Sequence, residues 1–374
     1  MPDKQLHIIS FDIPFPPNYG GVIDVFYKIK SLHEEGVKIH LHCFEYGRLH
    51  AKELERYCQS ISYYKRKSGF RRVLGALPYI AVTRSSEKLL ENLLGNDCPV
   101  LFEGLHCCYH LSDVRLKSRI KIARSHNIEH DYYANLARVE RNIVKKYYFS
   151  TEAQKLRAFE SVYKHANHVV AISKGDEIQL SGRYANVSQL PAFHPSEKIS
   201  VKEGRGDFVL YHGNLAIGEN NEAAVFLLRS IFNDIKIPFV IAGNNPSRSL
   251  VAEVKKYQHA KIVSNISTES IYDLVADAQI NILPTFQATG IKLKLLSALF
   301  NGRHCLVNTP MVANTGLESL CSVKDSPEQI KNEVIRLFNK NVDALEINKR
   351  KEILLNDFSN KKNAKQLVQL IWNQ

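Results

Sequence analysis

The sequence holds no CxxC pair. Its seven cysteines are an odd, scattered set, and the adjacent Cys107-Cys108 are unsuited to an ordinary disulfide. That points to a reducing, cytosolic setting rather than a disulfide-stapled secreted domain. No apolar run approaches the ~20 residues of a membrane span. Met1 to Gln5 leads straight into an apolar strand without the core of a signal peptide. There is no GxGxxG fingerprint, which argues against a dinucleotide dehydrogenase, and no HExxH. No repeat of solenoid period and no low-complexity tract appears. Acid is locally absent as well: from Arg56 to Ser86, and again between Asp277 and Glu318, there is no Asp or Glu.

The chain has 374 residues, 44% hydrophobic and 24% charged, which favours two soluble globular domains over one. Its net charge of +12 implies an anionic partner without choosing among nucleotide, nucleic acid and lipid surface. The most informative stretch is Pro284 to Asn308. A short apolar strand (Ile280 to Leu283) is followed by Gly290 and by a helix with Leu293, Leu296 and Phe300 at helical spacing. Gly302 stands where a left-handed cap would end that helix, and Cys305 to Val307 opens the next strand. This is βαβ grammar. Lys292 and Lys294 fall in the first helical turn, where unpaired N–H groups already make the field positive. A bound phosphate relieves that conflict; two lysines snorkelling into water would also do so.

The same alternation runs through the rest of the chain. Leu6 to Phe11 is a strand, followed by a proline-rich turn, Gly20-Gly21 and an apolar-striped helix. Paired glycines there let backbone N–H groups approach a ligand. Arg119 to Ala123 reads as a strand ending in Arg124-Ser125-His126-Asn127-Ile128-Glu129-His130, which sets His126 at a strand's C-terminal edge, where α/β sheets bind ligands. His126 and His130 are spaced i,i+4, but no third metal ligand is evident. Pro191 and Pro195 punctuate a linker. Beyond it, strands at Phe208 to His212, Phe239 to Ala242 and Lys261 to Val263 alternate with helices.

In the order of these motifs the chain resembles the retaining glycosyltransferases of family 4, over nearly its whole length. Gly20-Gly21 resembles the glycine loop facing the donor phosphates, and Arg124 to Glu129 the segment with an active-site histidine. Ala171-Ile172-Ser173 is similar to a strand-to-helix turn late in the first domain. His212-Gly213-Asn214-Leu215 with Asn220-Asn221-Glu222-Ala223 resembles the opening of the second domain, Ile241-Ala242-Gly243 its second strand, and Gly290 to Gly302 the helix that holds the nucleotide-sugar. The resemblance implies an α/β GT-B fold, two Rossmann-like domains facing an interdomain cleft. Residues 1–200 would form the acceptor domain, 201–355 the nucleotide-sugar domain, and 356–374 a helix crossing back. Catalytic candidates are His126, Asn127 and Glu129. Donor-binding candidates are Gly20, Gly21, Gly213, Asn214, Thr289, Gly290, Lys292, Lys294 and Ser297. Neither a metal nor a cofactor is implied; the nucleoside-diphosphate sugar is a co-substrate.

Three departures accompany the resemblance. Thr289 and Ser297 stand where the family carries glutamates, and Asn214 with Gly218-Glu219 where it carries Arg and Lys. The implied activity is transfer of a hexose to an acceptor hydroxyl in surface-polysaccharide or lipid-linked glycan synthesis. The departures leave open a catalytically impaired nucleotide-sugar-binding protein, and a sugar-nucleotide epimerase of similar fold. No nucleic-acid module is present. The acid-free segment 56–86 carries seven basic residues among Tyr63, Tyr64, Phe70, Leu74 and Leu77. That mixture suits peripheral contact with an anionic membrane at its inner face, or a solvated basic face over ordinary core residues.

Overall fold

The computed structural model describes residues 4–140, 142–286 and 293–373. The chain forms two compact units. One comprises Met1–Pro195 with Ser359–Gln374, the other Ser196–Phe358.

The first unit is built on strands β1 (Gln5–Ser10), β2 (Lys38–Glu45), β3 (Ser60–Lys65), β4 (Val100–Glu103), β5 (Lys121–Ser125), β6 (His168–Ala171) and β7 (Val187–Gln189). They pair in the order β3-β2-β1-β4-β5-β6-β7, and every pair is parallel. All four residues of β4 and all five of β5 are buried, as expected for central parallel strands covered on both faces. Strand order reverses direction between β1 and β4, so the loops leaving these two strands flank a crevice at the sheet's C-terminal edge. One face of the sheet is covered by the helix Gly20–Glu34 and by the last helix, Asn360–Trp372. From the latter Ala364, Leu367, Val368 and Ile371 join Leu6, Ile8, Val25 and Ile29 in one apolar cluster.

The second unit repeats the plan with β8 (Val209–His212), β9 (Phe239–Ala242), β10 (Ala260–Val263), β11 (Ile280–Ile282), β12 (His304–Val307) and β13 (Ser322–Val323). Their order is β10-β9-β8-β11-β12-β13, again all parallel, with the reversal between β8 and β11. The helix Leu293–Asn301 links β11 to β12 and buries Leu295, Leu296, Leu299 and Phe300. Gly302 does not adopt the left-handed conformation expected of it. A Cβ there would lie 2.2 Å from Asn281 Nδ2 and 2.8 Å from the Ala298 carbonyl oxygen, so close packing against Asn281 is what requires glycine.

Helix starts divide into two kinds. Those at Lys174, Arg248, Thr268, Pro327, Ala344 and Asn360 each have a Ser or Asp side chain accepting a backbone N–H. The helices that follow β1, β5 and β8, starting at Gly20, Glu129 and Gly218, have no side-chain cap.

Candidate functional site

In the first unit the C-terminal ends of β1, β4 and β5 converge on a charged cluster. Lys28 is fully buried; its Nζ donates to Asp24 Oδ2 at 2.8 Å and to Glu103 Oε1 at 2.6 Å. Arg124, also buried, donates from Nη2 to Asp24 Oδ1 at 3.2 Å and from Nη1 to the Leu190 carbonyl at 2.6 Å. Asp24 Oδ1 accepts the Phe193 N–H at 2.7 Å. His126 closes the cluster: its Nε2 lies 2.8 Å from Glu103 Oε2 and 3.8 Å from Asp24 Oδ2.

Two carboxylates therefore face two permanent cations. Burial alone would push both acids up, but for Asp24 the charges of Arg124 and Lys28 prevail and hold it well below the carboxylate range. For Glu103 the Lys28 charge and the His126 hydrogen bond have the same net effect. Asp24, Glu103 and His126 are near enough to share a cation. Their chemistry does not fit a metal site, because the Lys28 ammonium already occupies the position between the two carboxylates.

Phe11 roofs this cluster, its ring 5.5 Å from that of His126 and edge-on to it, and 5.6 Å from that of His106. Buried Arg84 fixes the Phe11 backbone, donating to its carbonyl from Nε at 3.1 Å and Nη2 at 2.9 Å. Gly20 and Gly21, both candidate donor contacts, differ in what they face. A Cβ at Gly20 meets nothing within 4 Å, whereas one at Gly21 would lie 2.5 Å from Phe11 Cζ. Gly21 is thus already required by the fold, and Gly20 is the glycine with open space before it.

Of the three catalytic candidates, His126 and Asn127 are partly exposed and Glu129 is buried. Burial, with a smaller contribution from Asp176, pushes Glu129 up to about 8 against the lowering effect of Asn127, so it carries its proton at neutral pH. Its Oε1 lies 3.9 Å from His106 Nδ1. His130 turns elsewhere, with Nδ1 3.1 Å from Glu160 Oε2. The i,i+4 histidine pair therefore shares no ligand.

In the second unit the donor candidates Gly213 and Asn214 follow β8, and Lys294 and Ser297 lie on the helix Leu293–Asn301. Gly213 N–H donates to the Ala242 carbonyl at 3.1 Å. A Cβ on the neighbouring Gly243, whose φ is +156°, would lie 1.8 Å from Gly213 O, so these strand ends touch backbone to backbone. Asn214 shapes its own loop, its Oδ1 accepting Ala216 N–H at 3.1 Å and its carbonyl accepting Asn220 Nδ2–H at 3.0 Å. Lys294 reaches across from the helix Leu293–Asn301; its Nζ donates to Asn220 Oδ1 at 3.2 Å and lies 5.3 Å from the Tyr211 ring centroid. Beside it His212 Nε2 and Ser297 Oγ are buried polar atoms with no hydrogen-bond partner among the described residues. Burial and then the Lys294 charge press the His212 imidazole down to about 3. Thr289, Gly290 and Lys292 lie outside the described residues.

Sequence reasoning missed Asp24, Lys28, Arg84 and Glu103. The signal for the first two was present: an i,i+4 acid–base pair within the apolar stripe of Val22, Val25, Phe26 and Ile29. In the 56–86 segment part of the alternative reading, a basic face over core residues, matches the structure, although Arg84 is not on that face. Arg84 is buried, and Tyr64 is a core residue whose hydroxyl is 2.8 Å from His42 Nδ1 and accepts Asn92 Nδ2–H at 2.7 Å. Tyr63 stacks on His50 at 3.7 Å between centroids. Both tyrosines belong to β3, whose pairing with β2 accounts for their engagement. Phe70 and Leu74 are 75% and 73% exposed.

No protein family model matches the chain. It is 28% identical over 384 residues, 95% of each chain, to a Klebsiella pneumoniae protein described as an uncharacterized 44.6 kDa protein in the cps region. Among solved structures it is similar to TarM, with a TM-score of 0.71 at 9% identity and 99% of each chain covered. HepE of Anabaena, in complex with UDP and glucose, gives 0.68 at 10% identity, over 99% of this chain and 100% of that one. WaaG, a glycosyltransferase involved in lipopolysaccharide biosynthesis, gives 0.66 at 13% identity with the same coverage. The chain has the GT-B fold, two parallel Rossmann-like sheets of seven and six strands, which is the fold of nucleotide-sugar glycosyltransferases.

Proposed function

We propose that this protein is a retaining glycosyltransferase that moves a hexose from a nucleoside-diphosphate sugar to an acceptor hydroxyl in surface-polysaccharide synthesis. The observation that supports the reading is the pair of topological switch points, one in each sheet. Gly20, His126 and Asn127 follow the strands of the first sheet, with open space before Gly20; Gly213 and Asn214 follow β8 in the second, where Lys294 and the unpartnered Ser297 Oγ lie on the helix Leu293–Asn301. A GT-B structure similar to this chain holds UDP and glucose, and the Klebsiella relative comes from a cps region.

In this reading Lys294, with Lys292, meets the charge that develops on the departing diphosphate. The uncapped N–H groups at Gly20 and Gly218 add fixed dipoles. His126 hydrogen-bonds the transferred sugar, and Glu129 takes part as a neutral carboxylic acid. A thermal-shift series with UDP, GDP and their hexose conjugates tests donor binding, since a ligand of the native state raises the melting temperature. Donor hydrolysis in wild type and His126→Ala then tests turnover. A shift with one nucleotide family, and hydrolysis lost in the variant at unchanged Tm, is expected. No shift with any of them overturns the reading. Binding without hydrolysis would instead favour an impaired nucleotide-sugar-binding protein, which Ser297 in place of a glutamate motivates.

We further infer that the acceptor is glycan-like or lipid-linked and that the first unit touches an anionic membrane peripherally. The exposed Phe70 and Leu74 beside exposed Lys65, Lys67 and Arg71 support this. Among the described residues no helix is long and apolar enough to cross a membrane. Flotation with anionic and neutral vesicles, at low and high salt, is the test. Salt-sensitive binding to anionic vesicles, weakened in Phe70→Ser/Leu74→Ser, is expected; indifference to anionic lipid at low salt rules the contact out.

A further inference from the structure

We propose that Glu103 is a positioning residue that locks His126 in the tautomer with hydrogen on Nε2, so that Nδ1 faces the sugar as a hydrogen-bond acceptor. The inference rests on the reading of His126 as a sugar contact and assigns the direction of that contact. Glu103 is wholly buried at the end of β4, and both of its oxygens are engaged. Both accept from Lys28 Nζ, Oε1 at 2.6 Å and Oε2 at 2.8 Å, and Oε2 also lies 2.8 Å from His126 Nε2. An ionised carboxylate only accepts, so the 2.8 Å contact requires a hydrogen on Nε2. The neutral ring then has its lone pair on Nδ1, which has no hydrogen-bond partner among the described residues.

The charged groups facing the ring are paired with one another. Lys28 contacts Glu103 directly and, with Arg124, neutralises Asp24, whose Oδ2 is 3.8 Å from Nε2. His106 abuts the same Phe11 ring as His126, and Arg84 donates to the Phe11 carbonyl. His106 is held neutral by its burial and by Arg84. An acceptor at Nδ1 selects a sugar hydroxyl that donates. A donor there would instead favour a ring or bridging oxygen, which has no hydrogen to give.

The test reads the tautomer directly. Protein labelled with nitrogen-15 histidine is examined by long-range nitrogen–proton correlation, and the His126 signals are assigned by their loss in His126→Gln. Wild type is expected to show hydrogen on Nε2 and a bare Nδ1. In Glu103→Leu the acceptor facing Nε2 is gone, and the ring is expected to lose its single tautomer, with Nδ1–H appearing beside Nε2–H. Donor hydrolysis should fall roughly tenfold or more, with nucleoside-diphosphate affinity retained. Glu103→Leu/Lys28→Met, which also removes the ammonium left without that partner, should show the same mixture.

A wild-type ring with hydrogen on Nδ1 overturns the proposal, and so does a single, unaltered Nε2–H tautomer in Glu103→Leu. If either variant fails to fold, the wild-type tautomer still decides. Failure of the donor reading shows separately, as absence of nucleotide binding in the wild type with the tautomer unaffected.

Discussion

Replacing Gly20 and Gly21 singly by alanine separates a glycine kept for a ligand from a glycine kept for packing. The two are adjacent at the start of one helix, so helix propensity changes nearly equally in both variants. At Gly21 the new methyl would stand 2.5 Å from Phe11 Cζ and 3.2 Å from Phe11 Cε2. The ring must therefore move. Its backbone cannot follow, because Arg84 holds the Phe11 carbonyl, and its ring already abuts those of His106 and His126. Overpacking of this kind costs ~1–3 kcal/mol. At about 2 kcal/mol, a unit of this size should melt roughly 4–8 °C lower. At Gly20 the methyl meets no protein atom within 4 Å, so Tm should stay within about 1 °C of wild type or rise slightly. What it should lose is nucleoside-diphosphate affinity, by roughly tenfold or about 1.4 kcal/mol. Scanning calorimetry without ligand and titration calorimetry with the nucleotide identified by thermal shift give both numbers. Equal Tm losses in the two variants would refute the distinction, and so would a Gly20→Ala protein that binds nucleotide as tightly as wild type.

Lys294→Ala should weaken nucleoside-diphosphate binding by ~1–3 kcal/mol, the range of a charge-assisted contact; unchanged affinity by titration would remove Lys294 from the donor site. Gly243→Ala should destabilise the protein by ~2 kcal/mol or more, since its Cβ would overlap the Gly213 carbonyl, and a wild-type urea midpoint would show that the strand ends separate easily. The raised pKa of Glu129 means the native state holds a proton that the unfolded chain has lost, so this group's contribution falls as pH rises from about 4.5 and is exhausted above about 8. Glu129→Gln should flatten the decline of Tm across that window; parallel pH curves for wild type and variant would show that Glu129 ionises freely.

The apolar strands, the two switch-point glycine loops and the placement of His126 at a sheet edge were legible because each depends on a few consecutive residues. β5 illustrates the limit. The pattern placed it at Arg119 to Ala123, but it runs from Lys121 to Ser125. Arg124 and Ser125 do not look like strand residues until Arg124 is seen to donate to carbonyls more than sixty positions away. The charged cluster was invisible for the same reason, since Lys28 and Glu103 are 75 positions apart. Tyr64 could not be told from a surface aromatic because its partners, His42 and Asn92, come from distant segments.

The last helix has a consequence for how the protein is made. Residues 196–358 form one continuous segment, whereas the first unit is split and takes Ala364, Leu367, Val368 and Ile371 from the far end of the chain. During synthesis the second unit can therefore complete its core while the first, though begun earlier, still lacks one wall. Residues 4–195 must wait with that apolar cluster short of the last helix's four residues until about residue 371 has left the ribosome. A messenger truncated shortly before that point would yield a chain with one finished unit and one that stays open to chaperones and proteases.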